Sequence, residues 1–308
     1  MQETAEARPP VGVVFDSDFG NSIDTALGLA LLYGFDGKKE ARLVAVSVSN
    51  QSLKAAELAD VIAHFYIRPS PIGLYANGKW AGDTPMETAP LALRHEDGTP
   101  IFASTIKKLN DTADPAPLIR NALTAQHDQN CVIVLAGPAL DLVAMLALRG
   151  AKDIVVSKVR CLVTTEAAFA LPASKQFFTD WPTPIVIAAE DRGSPLEYPS
   201  SSIEQDFSWS PAHPVVAAYR AYQPMPYDAT TTSMAAVLYA VHPDSPYFKR
   251  PEALPGFHGN IRRCVLDPAQ KNAILKTYTE LASAKPVPRR FPGAPKVDEV
   301  KAEKAAEK

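Results

Sequence analysis

Two spacings of apolar residues alternate along the chain, and they set the expectation for the fold. Residues 11–16, VGVVFD, form an unbroken apolar run that ends on a carboxylate, the pattern of a buried strand. From Ile23 the spacing changes. Ile23, Ala26, Leu27, Ala30 and Leu31 recur at helical intervals until Gly34 and Gly37. Residues 42–49 return to a strand that ends before Asn50, and residues 53–66 return to a helix. A short strand is expected over 71–75, helices over 115–127 and 138–148, and the central strand over 131–137, CVIVLAG. Strands over 159–164 and 184–190 flank a helix over 172–179. Helices over 214–222, 234–241 and 268–284 and an edge strand over 262–266 complete the series. Residues 76–114, with their Gly, Pro and charge, read mostly as loop, and so does 193–210.

This alternation predicts a single α/β domain, an open and mainly parallel sheet with helices on both faces. The domain is expected over 11–285, after an N-terminal extension, 1–10, and before a Pro-rich link and charged low-complexity tail, 286–308. A chain of 308 residues with 46% hydrophobic positions suits one large core. A net charge of −3 offers no basic excess for nucleic acid or an anionic membrane, which leaves a small-molecule or protein ligand. Cys131, Cys161 and Cys264 are odd in number and form no CxxC pair, so they read as free thiols. No apolar stretch is long enough to span a bilayer. The polar start, MQETAEARPP, lacks the apolar centre of a signal peptide. The chain as written reads as cytoplasmic, and as exported if a signal has been removed.

Candidate chemistry gathers in FDSDFGNSID, between the first strand and the first helix, where open α/β sheets bind ligands. Asp16 and Asp18 are two apart and share a face of an extended strand. Two close carboxylates repel each other unless a cation or hydrogen-bond donors lie between them. Gly20 allows a tight turn, Ser22 is placed to cap the helix, and Asp24 falls in the first helical turn, which favours an anion.

DSDFGNSIDT resembles, without a gap, the DxDxGNDxDD spacing found in one branch of the inosine-uridine-preferring nucleoside hydrolase family. Asn50 matches the family asparagine that contacts ribose. VLAGPALDLVAML matches a strand-Gly-Pro-helix segment whose carbonyl, here that of Leu140, binds calcium. AVLYAVHPDSPYF matches the late helix after the last metal-binding aspartate. The resemblance implies hydrolysis of the N-glycosidic bond of a nucleoside or related riboside, and a homo-oligomer. It casts Asp18 as base and calcium ligand, Asp24 and Asn50 as ribose contacts, and Asp16 as support behind them. Calcium itself is only possible, because the family's second helix-opening aspartate is Thr25 here and its late calcium-binding aspartate aligns with Ser233. Glu166 matches the ribose-contacting glutamate after a one-residue shift, with Ala167 at the neighbouring asparagine position. Asp228 and Asp141 are the available replacement carboxylates.

Two other classes compete. One is a catalytically impaired family member that binds a ribosylated ligand or partner. The other is a haloacid-dehalogenase-like phosphatase, which also ends its first strand in Asp-x-Asp and would use Glu190 and Asp191 as its late acidic pair. His258, in a Gly-flanked loop, is placed to reach a ligand. Trp80 and Trp181 read as packing residues first and base-stacking residues second.

Overall fold

The computed structural model describes residues 9–75, 82–255 and 260–288. Trp80, His258 and all but the first three residues of the 286–308 segment lie outside the described residues. The strands are β1 Val11–Ser17, β2 Ala41–Val48, β3 Ile72–Leu74, β4 Cys131–Ala136, β5 Val159–Thr165, β6 Ile185–Ala189, β7 Glu197–Tyr198, β8 Ala229–Thr230, β9 Glu252–Ala253 and β10 Ile261–Val265. The helices are α1 Ile23–Gly37, α2 Leu53–Phe65, α3 Pro85–Ala92, α4 Pro115–Thr124, α5 Leu140–Leu146, α6 Ala151–Lys158, α7 Glu166–Ala170, α8 Lys175–Asp180, α9 Ser200–Gln205, α10 Pro214–Tyr222, α11 Thr232–Val241 and α12 Lys271–Ala282.

Eight strands form one sheet in the order β3-β2-β1-β4-β5-β6-β10-β9, and only β9 runs antiparallel to its neighbour. Side chains alternate across it. Val13 and Phe15 join the core beneath α1, α2, α10, α11 and α12, whereas Val14 joins Ile133, Leu135 and Leu162 beneath α4, α5 and α6. Both faces are thus covered by helices, as the unbroken apolar runs predict. Full burial of each such Val, Leu, Ile or Phe contributes about 1.5–3 kcal/mol. The α1 helix is enclosed on all sides, with every residue from Ile23 to Asp36 buried. It crosses α11 closely at Gly28, where an added Cβ would stand 3.1 Å from the Ser233 Cβ.

Several sequence expectations need correction. The 76–114 stretch holds a helix, α3, started by Pro85 and by a capping box between Thr84 and Glu87. The 193–210 stretch holds α9 and β7, and β7 forms a two-stranded antiparallel pair with β8. The strand expected at the edge, β10, is instead paired on both sides, parallel to β6 and antiparallel to β9. Two residues of β9 are too few for any period to register. Among the described residues no helix is long and apolar enough to cross a membrane.

Candidate active site

The strand order reverses beside β1. The chain leaves β1 for β2 and β3 on one side and returns to β4 on the other. The crevice between the carboxyl ends of β1 and β4 is therefore the topological switch point. The acidic turn follows β1, and Gly137 follows β4. A Cβ at Gly137 would collide with the backbone N of Asp18, so only glycine lets the two strand ends approach this closely. Gly20 has φ of +102°, and a Cβ there would meet Glu87 Oε1 and lie 2.7 Å from Asn50 Nδ2. The turn is thus shaped by two glycines and backed by α3.

Asp18 stands just past the end of β1 and is half-buried. Asn21 Nδ2 donates to its Oδ2 at 3.2 Å. Burial pushes the Asp18 carboxyl above the ordinary carboxylate range, and the Asn21 hydrogen bond opposes this. Asn50 is held on several sides. Its Nδ2 donates to the Phe19 carbonyl and, at 3.4 Å, to Glu87 Oε1, while its Oδ1 accepts the Ser52 N–H at 2.9 Å. Glu87 is fully buried, and its Oε2 accepts the Thr84 N–H at 2.5 Å. The sequence reading missed Glu87, although Thr84-Pro85-x-Glu87 is a legible capping box.

Asp24 has Ser22 as the N-cap of its own helix. Its Oδ2 accepts from Thr232 Oγ1 at 2.6 Å and from the Ser233 N–H at 2.7 Å. The carboxylate therefore joins the N-terminal ends of α1 and α11, where two helix dipoles favour negative charge. Its Oδ1 is buried and has no hydrogen-bond partner among the described residues. Burial raises this carboxyl, and the bonds from Thr232 and Ser233 pull it back.

Behind the turn, Asp16 and Asp141 are both fully buried on the α5 side of the sheet. Ser47, the register partner of Asp16 on β2, donates its hydroxyl to Asp141 Oδ2. Among the described residues, both oxygens of Asp16 and the Oδ1 of Asp141 have no hydrogen-bond partner. Asp16 is held well above the ordinary range, first by burial and then by the negative charges of Asp141 and Asp18. Burial also pushes Asp141 up, to about 6, against the Ser47 hydrogen bond. A proton held by this pair relieves the repulsion.

The other expected residues are placed as follows. Glu166 opens α7 at the carboxyl end of β5, and its Oε1 accepts from Arg263 Nε at 2.8 Å. Leu140, the residue whose carbonyl was expected at a metal, opens α5. Asp228 is exposed, and its Oδ1 accepts the Ser200 N–H at 2.8 Å, a turn role that argues against it as a replacement ligand. Glu190 Oε1 accepts from Thr231 at 2.7 Å and Asp191 pairs with Lys249 at 3.1 Å, so the late acidic pair of a phosphatase is engaged elsewhere. Trp181 is buried against Phe177, and its indole N–H donates to Thr183 at 2.8 Å, a packing role.

The calcium that the resemblance implies would meet few charged ligands among these residues. The Thr25 hydroxyl donates to the Ser22 carbonyl at 2.7 Å, and the Ser233 N–H and Thr232 hydroxyl bind Asp24. Of the implied side-chain ligands only Asp18 brings charge, and calcium affinity depends strongly on the number of charged ligands. Among the described residues no three His, Cys, Asp or Glu side chains are grouped as a metal site.

No family model matches the sequence, and no curated protein matches it. Solved structures do. An inosine-uridine-preferring nucleoside hydrolase from Bacillus anthracis superposes with a TM-score of 0.62 at 14% identity, over 89% of this chain and 99% of that one. The type III effector XopQ, solved in complex with adenosine diphosphate ribose, gives 0.68 at 12% identity, over 91% and 96%. A plant nucleoside hydrolase, PpNRh1, gives 0.60 at 14% identity, over 90% and 100%. The mostly parallel eight-stranded sheet with helices on both faces is the architecture of these nucleoside hydrolases, and the chain has that nucleoside-hydrolase-like fold.

Proposed function

We propose that the protein hydrolyses the N-glycosidic bond of a nucleoside or related riboside, with Asp18 as general base. One observation carries the reading. Asp18 stands half-buried at the switch point, on a glycine-shaped turn, with its carboxyl raised toward the working range of a base. Water gives a proton to Asp18 as its oxygen bonds to C1′ of the ribose. The C1′–N bond breaks, and the base leaves with that electron pair. Negative charge on Asp24, and on Asp18 until it takes the proton, stabilises the positive charge that develops on the ribose ring. Asn50, fixed by Phe19, Ser52 and Glu87, orients the sugar. No step is routed through a metal.

A second reading is binding of a ribosylated ligand without turnover. It is favoured by Asp24, whose Oδ2 is already held by α11 and leaves one oxygen for a sugar hydroxyl. The neighbour solved with adenosine diphosphate ribose supports a ribosylated ligand under either reading.

Ribose release from a panel of purine and pyrimidine nucleosides separates the two. It is run on chelator-stripped protein, with and without calcium, beside Asp18→Asn. Release by the stripped protein that disappears in the variant is the expected result. Well-folded protein that releases nothing, yet binds a nucleoside, points to the second reading.

A further inference from the structure

Helix α11 is capped from outside its own segment. Its N-cap residue, Thr231, is of a type that ordinarily accepts an N–H of the first turn with its own hydroxyl, and here it makes no such bond. That hydroxyl is turned the other way, to Glu190 Oε1 at 2.7 Å and the Leu196 carbonyl at 3.0 Å. The first N–H groups of α11 therefore need an acceptor from elsewhere. Asp24 supplies it. Its Oδ2 accepts the Ser233 N–H at 2.7 Å and the Thr232 hydroxyl at 2.6 Å, and the Met234 N–H also helps to hold its charge. Hydrogen bonds to an ionised carboxylate are roughly twice as strong as neutral ones.

The α1 helix is shaped for this contact. Gly28 follows Asp24 by one turn and lies on the same side of the helix. A Cβ at Gly28 would press on Ser233, with its Cβ at 3.1 Å and its carbonyl carbon at 3.5 Å. The glycine thus lets the start of α11 close on the carboxylate one turn earlier. Thr25, the neighbour of Asp24 and an implied metal ligand, spends its hydroxyl proton on the Ser22 carbonyl at 2.7 Å. Close carboxylates need a cation or hydrogen-bond donors between them. At Asp24 the donors are supplied by α11, and at Asp18 one is supplied by Asn21 at 3.2 Å.

We infer that the start of α11 takes the place of a metal ion at the ribose end of the site, with Thr232 as the positioning residue that holds Asp24 and with no calcium required there. The positive end of the helix dipole acts in the same direction. Because Oδ2 is committed to α11, the direction of Oδ1, the oxygen left for a sugar hydroxyl, is fixed as well. The role of Thr232 rests on the proposed riboside reading, whereas the independence from calcium is measured without any riboside.

The test uses the chelator-stripped full chain as wild type, T232V and T232S, each with and without millimolar calcium. Calcium calorimetry, thermal unfolding, and affinity and turnover over the nucleoside panel are the readouts. Wild type is expected to take up no calcium in that range, with melting temperature and nucleoside affinity unchanged by its addition. T232V should weaken nucleoside binding and raise KM about tenfold with kcat little changed, the scale of one charge-assisted hydrogen bond. T232S should restore both. Valine keeps the shape of threonine, and Thr232 is only half-buried, so the helix is retained. A merely structural loss would instead lower the melting temperature and kcat. Calcium that binds wild type and raises its melting temperature overturns the inference, and so does T232V with wild-type KM. Neither result touches Asp18 as base. A wild type that ignores calcium and binds no nucleoside removes the riboside reading and upholds the metal-free turn.

Discussion

The two ends of α1 bury aspartates in opposite circumstances. At its far end Asp36 is fully answered. Its Oδ1 accepts from Arg68 Nε at 2.7 Å and its Oδ2 from the Leu43 N–H at 3.2 Å. At the near end Asp24 keeps one oxygen without a partner, and behind it Asp16 keeps two. Both ends are buried. A fold that can satisfy a buried carboxylate at one end and leaves it unsatisfied at the other holds the second set for something besides stability. The comparison separates a structural aspartate from a functional one by its partners, where burial alone does not.

The comparison breaks most sharply at Asp18. Asp18→Asn should lower riboside turnover about a hundred- to ten-thousandfold with the melting temperature unchanged. Since burial raises this carboxyl, wild-type turnover should fall away on acidification at a pH above the ordinary carboxylate range. Normal turnover in the variant would remove the acidic turn as the site. Asp36→Ala comes next in size, acting on stability and not on chemistry. It strands the buried Arg68 guanidinium, and urea unfolding should show a loss of about 3–5 kcal/mol.

Asp141 reverses the sign. Its folded-state pKa of about 6 lies above the unfolded value, so the folded form binds more protons between about 4 and 6. The protonated group's contribution is complete at low pH and is lost as pH rises through that window. Asp141→Asn should therefore flatten the pH profile of stability and add about 3 kcal/mol at neutral pH. A variant less stable than wild type at pH 7 would show that the ionised pair is satisfied after all. The smallest effect is at Glu87. Glu87→Ala removes the capping box of α3 and one contact of Asn50, for about 1 kcal/mol. KM should rise more than kcat falls, since the glutamate acts through Asn50. A pure loss of kcat would place Glu87 closer to the chemistry.

The central strands and α1 were legible because each carries its apolar period without interruption. The acidic turn was legible because its carboxylates, glycine and cap lie within one short segment. What was missed depends on distance or brevity. The charge interaction of Asp141 with Asp16 arises only once β1 and β4 are in register. The bond from Thr232 to Asp24 needs α1 and α11 to cross at Gly28. Glu166 was read as a sugar contact, and its salt bridge to Arg263 depends on β10 lying inside the sheet. The α3 helix is different. Its start signal was present in the sequence, and the surrounding Gly, Pro and charge obscured it.

The link between Asp24 and Thr232 also sets an order of events when the chain is made. Its two ends are 208 residues apart. At ordinary translation rates of about 5–20 residues per second, the acidic turn waits roughly ten to forty seconds on the ribosome before its partner exists. Until then Asp24 faces water, and the crevice stays open on the α11 side. The acidic turn is made well before the helix that completes it, and the site closes only when both are present.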